Sequence, residues 1–112
     1  MSKNERLNDE LMHELAMVVN REVGIPDVLI TVTYVDCSPD LKQARVGFSV
    51  LPENQTGSAS RRLQGLTGQI AGILRSRLNW RRFPHLIWEF DPTEKEAGKI
   101  ERLIAGIDDA ED

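Results

Sequence analysis

Six arginines fall in a stretch that holds no acid. Between Asn54 and Trp88 stand Arg61, Arg62, Arg75, Arg77, Arg81 and Arg82, with no Asp or Glu among them. Six of the 14 basic residues and none of the 18 acidic ones lie there, so the window carries a formal +6 and the remainder −10, although the whole chain is only −4. Guanidinium groups pair with phosphate oxygens bidentately, and an asymmetry of this kind suggests a polyanionic partner. Threaded between the arginines is "LQGLTGQIAGILR", residues 63–75, whose apolar spacing is helical but whose Gly65, Gly68 and Gly72 each cost a helix about 1 kcal/mol relative to alanine.

On a helical wheel those glycines are not scattered. Leu63, Leu66, Ile70, Ile73 and Leu74 share one side, while Arg61, Gly65, Gly68, Gly72 and Arg75 share the other. Two physical readings follow. Gly65–Leu66–Thr67–Gly68 can be an interhelical kink between two shorter helices. Alternatively, the bare positions let a phosphate backbone come close to main-chain N–H groups. A kink would create a new helix N-terminus, which favours anions, so the two readings are compatible. The "GLTG" at 65–68 also has the GxxG spacing of the KH nucleic-acid module.

The candidate RNA contacts are therefore Arg61, Arg62, Gly65, Thr67, Gly68, Arg75, Arg81 and Arg82. Lys42 and Arg45, beside a predicted hairpin turn, could add a second contact. Arg77 points towards the apolar side of the wheel and reads as structural. Thr67 can bond a phosphate or cap the second helical segment. Trp80 and Trp88 could stack on bases, but Trp88 alternates with core residues. No catalytic or metal site is expected. His13 and His85 have no partner at metal-ligand spacing, and no phosphate-loop, dinucleotide or nucleophile-elbow motif occurs. No cofactor is implied. The single Cys37 sits in an apolar, strand-like run and reads as a buried, inert thiol.

Positioning those groups falls to a predicted order α-β-β-α-kink-α-β with an additional C-terminal helix. The spacing predicts a first helix over about 4–23, stopped by "GIPD", with Gly24 as a left-handed cap. Strands follow over 28–37 and 44–51, a loop over 52–60, the glycine-bearing helical region over about 58–78, and a third strand over 85–90. Thr93 and Glu96 have capping-box spacing ahead of a stripe of Ala97, Ile100, Leu103, Ile104 and Ile107, and 108–112 is an acidic, fraying tail. With 112 residues this is one domain, α+β in class, with an ordered core over about 4–107. No apolar run is long enough to span a bilayer and no signal-like segment follows the polar start, so the expected setting is the cytoplasm, with no membrane partner. A monomer is expected.

Three segments together resemble the ribosome-binding factor A family, whose fold is KH-like of the bacterial type II. They are "VTYVDCSPDLKQARVGFSVL" at 32–51, "LQGLTGQI" at 63–70 and "LNWRRFPHLIWEFD" at 78–91, and the resemblance covers roughly residues 5–92. Its most specific pattern is Ser38, Asp40, Leu41, Ala44 and Val46, followed by Trp80, Arg81, Pro84, Leu86 and Asp91. The family carries an Ala-x-Gly kink between helices. Gly68 matches its glycine, and Leu66 departs from its alanine. The acidic N-terminus departs from the basic arm of many relatives. The resemblance implies a non-enzymatic factor that binds free 30S subunits, contacts 16S rRNA near the decoding region, and assists late 30S maturation, 16S 5′-end processing and cold adaptation. A free-standing KH-like binder of single-stranded RNA, or else a protein-interaction domain or an undetected small enzyme, would be the alternatives.

Overall fold

The computed structural model describes residues 3–92, and its element order is α1 (Lys3–Glu22), β1 (Leu29–Cys37), β2 (Gln43–Leu51), a 3-10 turn (Glu53–Gln55), α2 (Thr56–Leu78) and β3 (His85–Phe90). The predicted C-terminal helix and acidic tail lie outside the described residues. The strands form one sheet in the order β1-β2-β3. β1 and β2 are antiparallel, pairing Leu29 with Leu51 and Cys37 with Ala44. β3 runs parallel to β2, with Val46 opposite Trp88 and Phe48 opposite Phe90. A parallel neighbour needs a crossover, and α2 is that crossover.

Alternation along β2 sends Ala44, Val46, Phe48 and Val50 into the core. On β1 the inward residues are Ile30 and Val32, then Val35 and Cys37. That change of parity requires one extra residue, and the register indeed slips between Val32 and Tyr34. The helices cover this apolar face, α1 chiefly over β1 and α2 over β3, and they also touch each other. Leu11, Leu15 and Val18 of α1 meet Leu63, Ile70 and Leu74 of α2 there, all fully buried. The opposite face of the sheet is covered by neither helix.

Three expectations are corrected. First, the two predicted helical segments are one helix of 23 residues, Thr56–Leu78, with Gly65–Gly68 inside it. A glycine keeps its N–H, so it lowers propensity without breaking the hydrogen-bonded ladder, and burial of Leu63, Ile70 and Leu74 offsets the loss. Second, the left-handed residue after α1 is Asp27 (φ 62°), not Gly24. Third, the region 52–60 is not a loop: it holds the 3-10 turn and the first turn of α2. The far end of α2 is closed by Asn79 in the left-handed region (φ 57°), whose N–H donates to the Arg75 carbonyl at 3.1 Å.

Candidate nucleic-acid interface

The outward flank of α2 is built by what its inward flank must do. Leu63, Ile70 and Leu74 are fixed in the core, so a period of 3.6 places Arg61, Arg62, Gly65, Gly68, Gly72 and Arg75 in solvent. A Cβ added at Gly65, Gly68 or Gly72 would meet nothing within 4 Å. The bare strip is therefore open to an approaching molecule and is not required by packing. Arg61 and Arg75 are separated by about 21 Å along the axis at 1.5 Å per residue. At the N-terminal end, Ser58, Arg61, Arg62, Gly65 and Leu66 line a shallow recess of about 420 Å³. At the other end the Arg75 guanidinium lies 5.8 Å from the Phe83 ring centre, a cation–π contact that leaves its N–H groups free to bond elsewhere. Arg81 and Arg82 are exposed on the connection to β3.

The "GLTG" segment is helix and not the loop of a GxxG clamp. Its N–H groups lie inside a continuous helix and are committed to carbonyls one turn back. What this strip offers a phosphate backbone is closeness and charge, not main-chain donors. Thr67 does not cap a helix either. Its hydroxyl donates to the Leu63 carbonyl at 2.8 Å, and its oxygen accepts the Trp88 indole N–H at 2.8 Å. Thr67 is a strut between α2 and β3, occupied on both counts. Trp80 is also tied: its indole N–H donates to Glu10 Oε1 at 3.2 Å, and its ring packs on Phe83.

The two hairpin candidates part company. Lys42 is exposed, and its carbonyl accepts the His85 N–H at 2.9 Å, so it lies beside the start of β3. Arg45 is on the sheet face away from α2. It bonds its cross-strand neighbour Asp36 at 2.7 Å and approaches Glu89 at 4.0 Å. With two carboxylates beside it, Arg45 adds little positive field and stands apart from the α2 arginines. Arg77 is tied across to Glu14 of α1 by a hydrogen bond. That bond holds the Glu14 carboxyl below its ordinary value and raises Arg77. Arg61, Arg62, Arg81 and Arg82 have no acidic partner among the described residues.

Several contacts escaped the sequence reading. The Tyr34 ring occupies the space that a Cβ on Gly47 would need, and its hydroxyl donates to Glu89 at 2.6 Å. That bond, with burial, pushes the phenol up to about 12. A glycine inside the strand "RVGFSV" was the available signal. The turn 38–43 is held by the Asp40 carboxylate, which accepts from the Ser38 hydroxyl at 2.7 Å and the Lys42 N–H at 3.0 Å. Asn4 and Asn8 of α1 then bond the Ser38 carbonyl and the Cys37 N–H. Cys37 is buried, and burial raises its thiol. Among the described residues no cluster of His, Cys, Asp and Glu could hold a metal, and no helix is long and apolar enough to cross a membrane.

Comparison with known proteins identifies the family and the fold. A family model described as ribosome-binding factor A matches residues 3–104. A ribosome-binding factor A from Thioalkalivibrio sulfidiphilus is 33% identical over 105 residues, covering 92% of this chain and 81% of that one. One from Natranaerobius thermophilus is 34% identical over 112 residues, covering 98% and 86%. The crystal structure of ribosome-binding factor A from Thermus thermophilus superposes with a TM-score of 0.70 at 25% identity, covering 78% of this chain and 93% of that one. A homology model of the Thermus protein, fitted into the cryo-EM map of its 30S complex, matches with a TM-score of 0.68 at 24% identity over the same shares, a likeness of fold.

Proposed function

The chain belongs to the ribosome-binding factor A family, and on that premise we propose that it associates with free 30S subunits through 16S rRNA and assists late 30S maturation. Processing of the 16S rRNA 5′ end and support of growth in the cold belong to the same reading. The protein works by binding, as a cytoplasmic monomer, without catalysis. One observation carries the RNA side of this reading: an exposed, glycine-bared flank of α2 that holds no acid of its own, with Arg61, Arg62 and Arg75 along it and Glu22 of α1 engaged by Gln69. Cations without acidic partners are the ones whose counterions and phosphates can be exchanged, which makes binding salt-dependent. The relatives' name and the Thermus protein's 30S complex support the subunit as the partner. An autonomous GxxG clamp on single strands is disfavoured, because "GLTG" is helix and not loop.

The test is co-sedimentation with small subunits, large subunits and whole ribosomes across a salt series. The expected result is binding to free small subunits alone, falling steeply with salt, and weakened in Arg75→Glu/Arg81→Glu with the fold intact. Equal sedimentation with all three particles, or none, would overturn the proposal.

A further inference from the structure

A second concavity lies off the α2 flank. It is a cleft of about 410 Å³ where α1, the β1–β2 turn and the α2–β3 connection meet, lined by Leu7, Asp40, Leu41, Trp80, Arg81 and Arg82. Its size is at the lower end for small-ligand clefts, large enough for one nucleotide and too small for a duplex. Three features give it a chemistry. Its apolar wall includes an indole whose orientation is set by Glu10 and Phe83. Leu41 holds a left-handed backbone (φ 59°), which a side chain of this kind adopts only when its surroundings enforce it. The enforcement is local: the Leu41 N–H donates to the Ser38 carbonyl at 2.9 Å, and Asp40 ties the same turn through Ser38 and Lys42. The turn thus keeps Leu41 in the cleft wall despite its backbone strain. Finally, the cleft carries two exposed arginines that no acid pairs among the described residues. Asp40 is the carboxylate in its lining, and its turn bonds leave acceptor capacity.

We propose that this cleft takes one unpaired nucleotide of an RNA strand. The base lies against Trp80, Leu41 and Leu7. Its phosphate is bound by Arg81 and Arg82, and Asp40 can accept from an exocyclic amino group of the base. The inference rests on the RNA-binding reading above and adds a place where a splayed-out base is held. Unstacked bases on aromatic rings, flanked by guanidinium groups, are how proteins read single-stranded RNA. The charge favours RNA over a protein segment, since two unpaired cations beside an aromatic wall match a phosphate and its base.

The experiment is ultraviolet crosslinking of the full-length protein to free small subunits, with the crosslinked peptide mapped by mass spectrometry, alongside co-sedimentation of two variants. Trp80→Leu keeps an apolar side chain and removes the stacking face. Arg81→Ala/Arg82→Ala changes exposed side chains only. The expected result is a nucleotide adduct within residues 78–82, a loss of about 5- to 100-fold in affinity for Trp80→Leu, and a shallower salt dependence for the arginine pair. The proposal is overturned if the wild-type protein sediments with subunits, adducts map only to α2, and both variants bind as it does. It is equally overturned if the variants weaken binding while no adduct forms at the cleft, which would make the occupant a protein. Failure of the wild-type protein to sediment would instead remove the parent reading, and this one with it.

Discussion

The two flanks of α2 use the same residue types for opposite ends. Inward, Arg77 is taken by Glu14 and Thr67 by Trp88, while beyond them in the sheet Gly47 makes room for the Tyr34 ring. Outward, Gly65, Gly68 and Gly72 face empty space, and Arg61 and Arg62 have no acidic partner among the described residues. A glycine or an arginine is therefore not informative by type. What separates the flanks is whether the fold already satisfies the residue. Residues the fold does not use are free for a partner, and here the glycines among them are also the ones that lower helix propensity.

Reversing charge on the outward flank should have the largest effect. Arg61→Glu/Arg62→Glu/Arg75→Glu is expected to lower affinity for small subunits at least about 100-fold at low salt and to flatten its salt dependence. Thermal stability should stay close to wild type, because the three side chains are exposed. Unchanged affinity would erase the contrast between the flanks. On the inward side, Gly47→Ala should destabilise by about 1–3 kcal/mol in chemical denaturation, since its Cβ would overlap the Tyr34 ring. Tyr34 is the chain's one tyrosine, so phenolate absorbance reads it alone. Its pKa is raised from 10.0 to about 12, so its contribution to stability is complete below pH 10 and fades as pH rises towards 12. Phenolate absorbance appearing near pH 10 in the folded protein would show that the Tyr34–Glu89 bond is absent.

Next come the outward glycines. Gly65→Ala and Gly72→Ala should each stabilise by up to about 1 kcal/mol, because the added methyl meets nothing and helix propensity improves. Gly68→Leu should fold as well. If a phosphate backbone lies on this strip, the leucine side chain holds it off, and subunit affinity should fall about tenfold while Tm does not. A Gly68→Leu protein that binds as tightly as wild type would leave the glycines with no role in recognition.

How much of the fold and of the site is legible in the sequence depends on distance along the chain. The order of elements could be read because it follows from local periodicity. The outward position of Arg61 and Arg75 could be read from the wheel for the same reason. That a single helix spans the three glycines cannot be read locally, because the buried stripe of Leu63, Ile70 and Leu74 packs against α1 and the sheet. Arg45 looked available until the hairpin register put Asp36 opposite it. Thr67 is 21 residues from Trp88, and Arg77 is 63 from Glu14, so neither partner has a sequence signature, although the wheel does set Arg77 apart from the other arginines. The site was readable as an excess of charge. Which arginines already had partners was a tertiary fact.

The smallest effect tests that division most directly. Arg77 is two residues from Arg75, in the same acid-free window, and by charge alone the two are equivalent. Arg77→Gln should nevertheless leave subunit affinity unchanged, whereas Arg75→Gln should reduce it. Its consequence should appear in stability instead. The hydrogen bond from Arg77 lowers the Glu14 pKa from its ordinary 4.5, opposed by desolvation and aided by the charges of Arg77 and Arg21. A carboxylate lowered on folding stabilises the protein above its unfolded pKa, and that contribution is lost as pH falls through the folded value. Arg77→Gln should therefore melt slightly below wild type at pH 7, and the gap should close once the solution is acid enough to protonate Glu14. High salt should narrow it too, because the pair is at the surface. If Arg77→Gln instead weakens subunit binding as much as Arg75→Gln, the ion pair with α1 opens when the partner docks, and the two flanks of the helix are one surface.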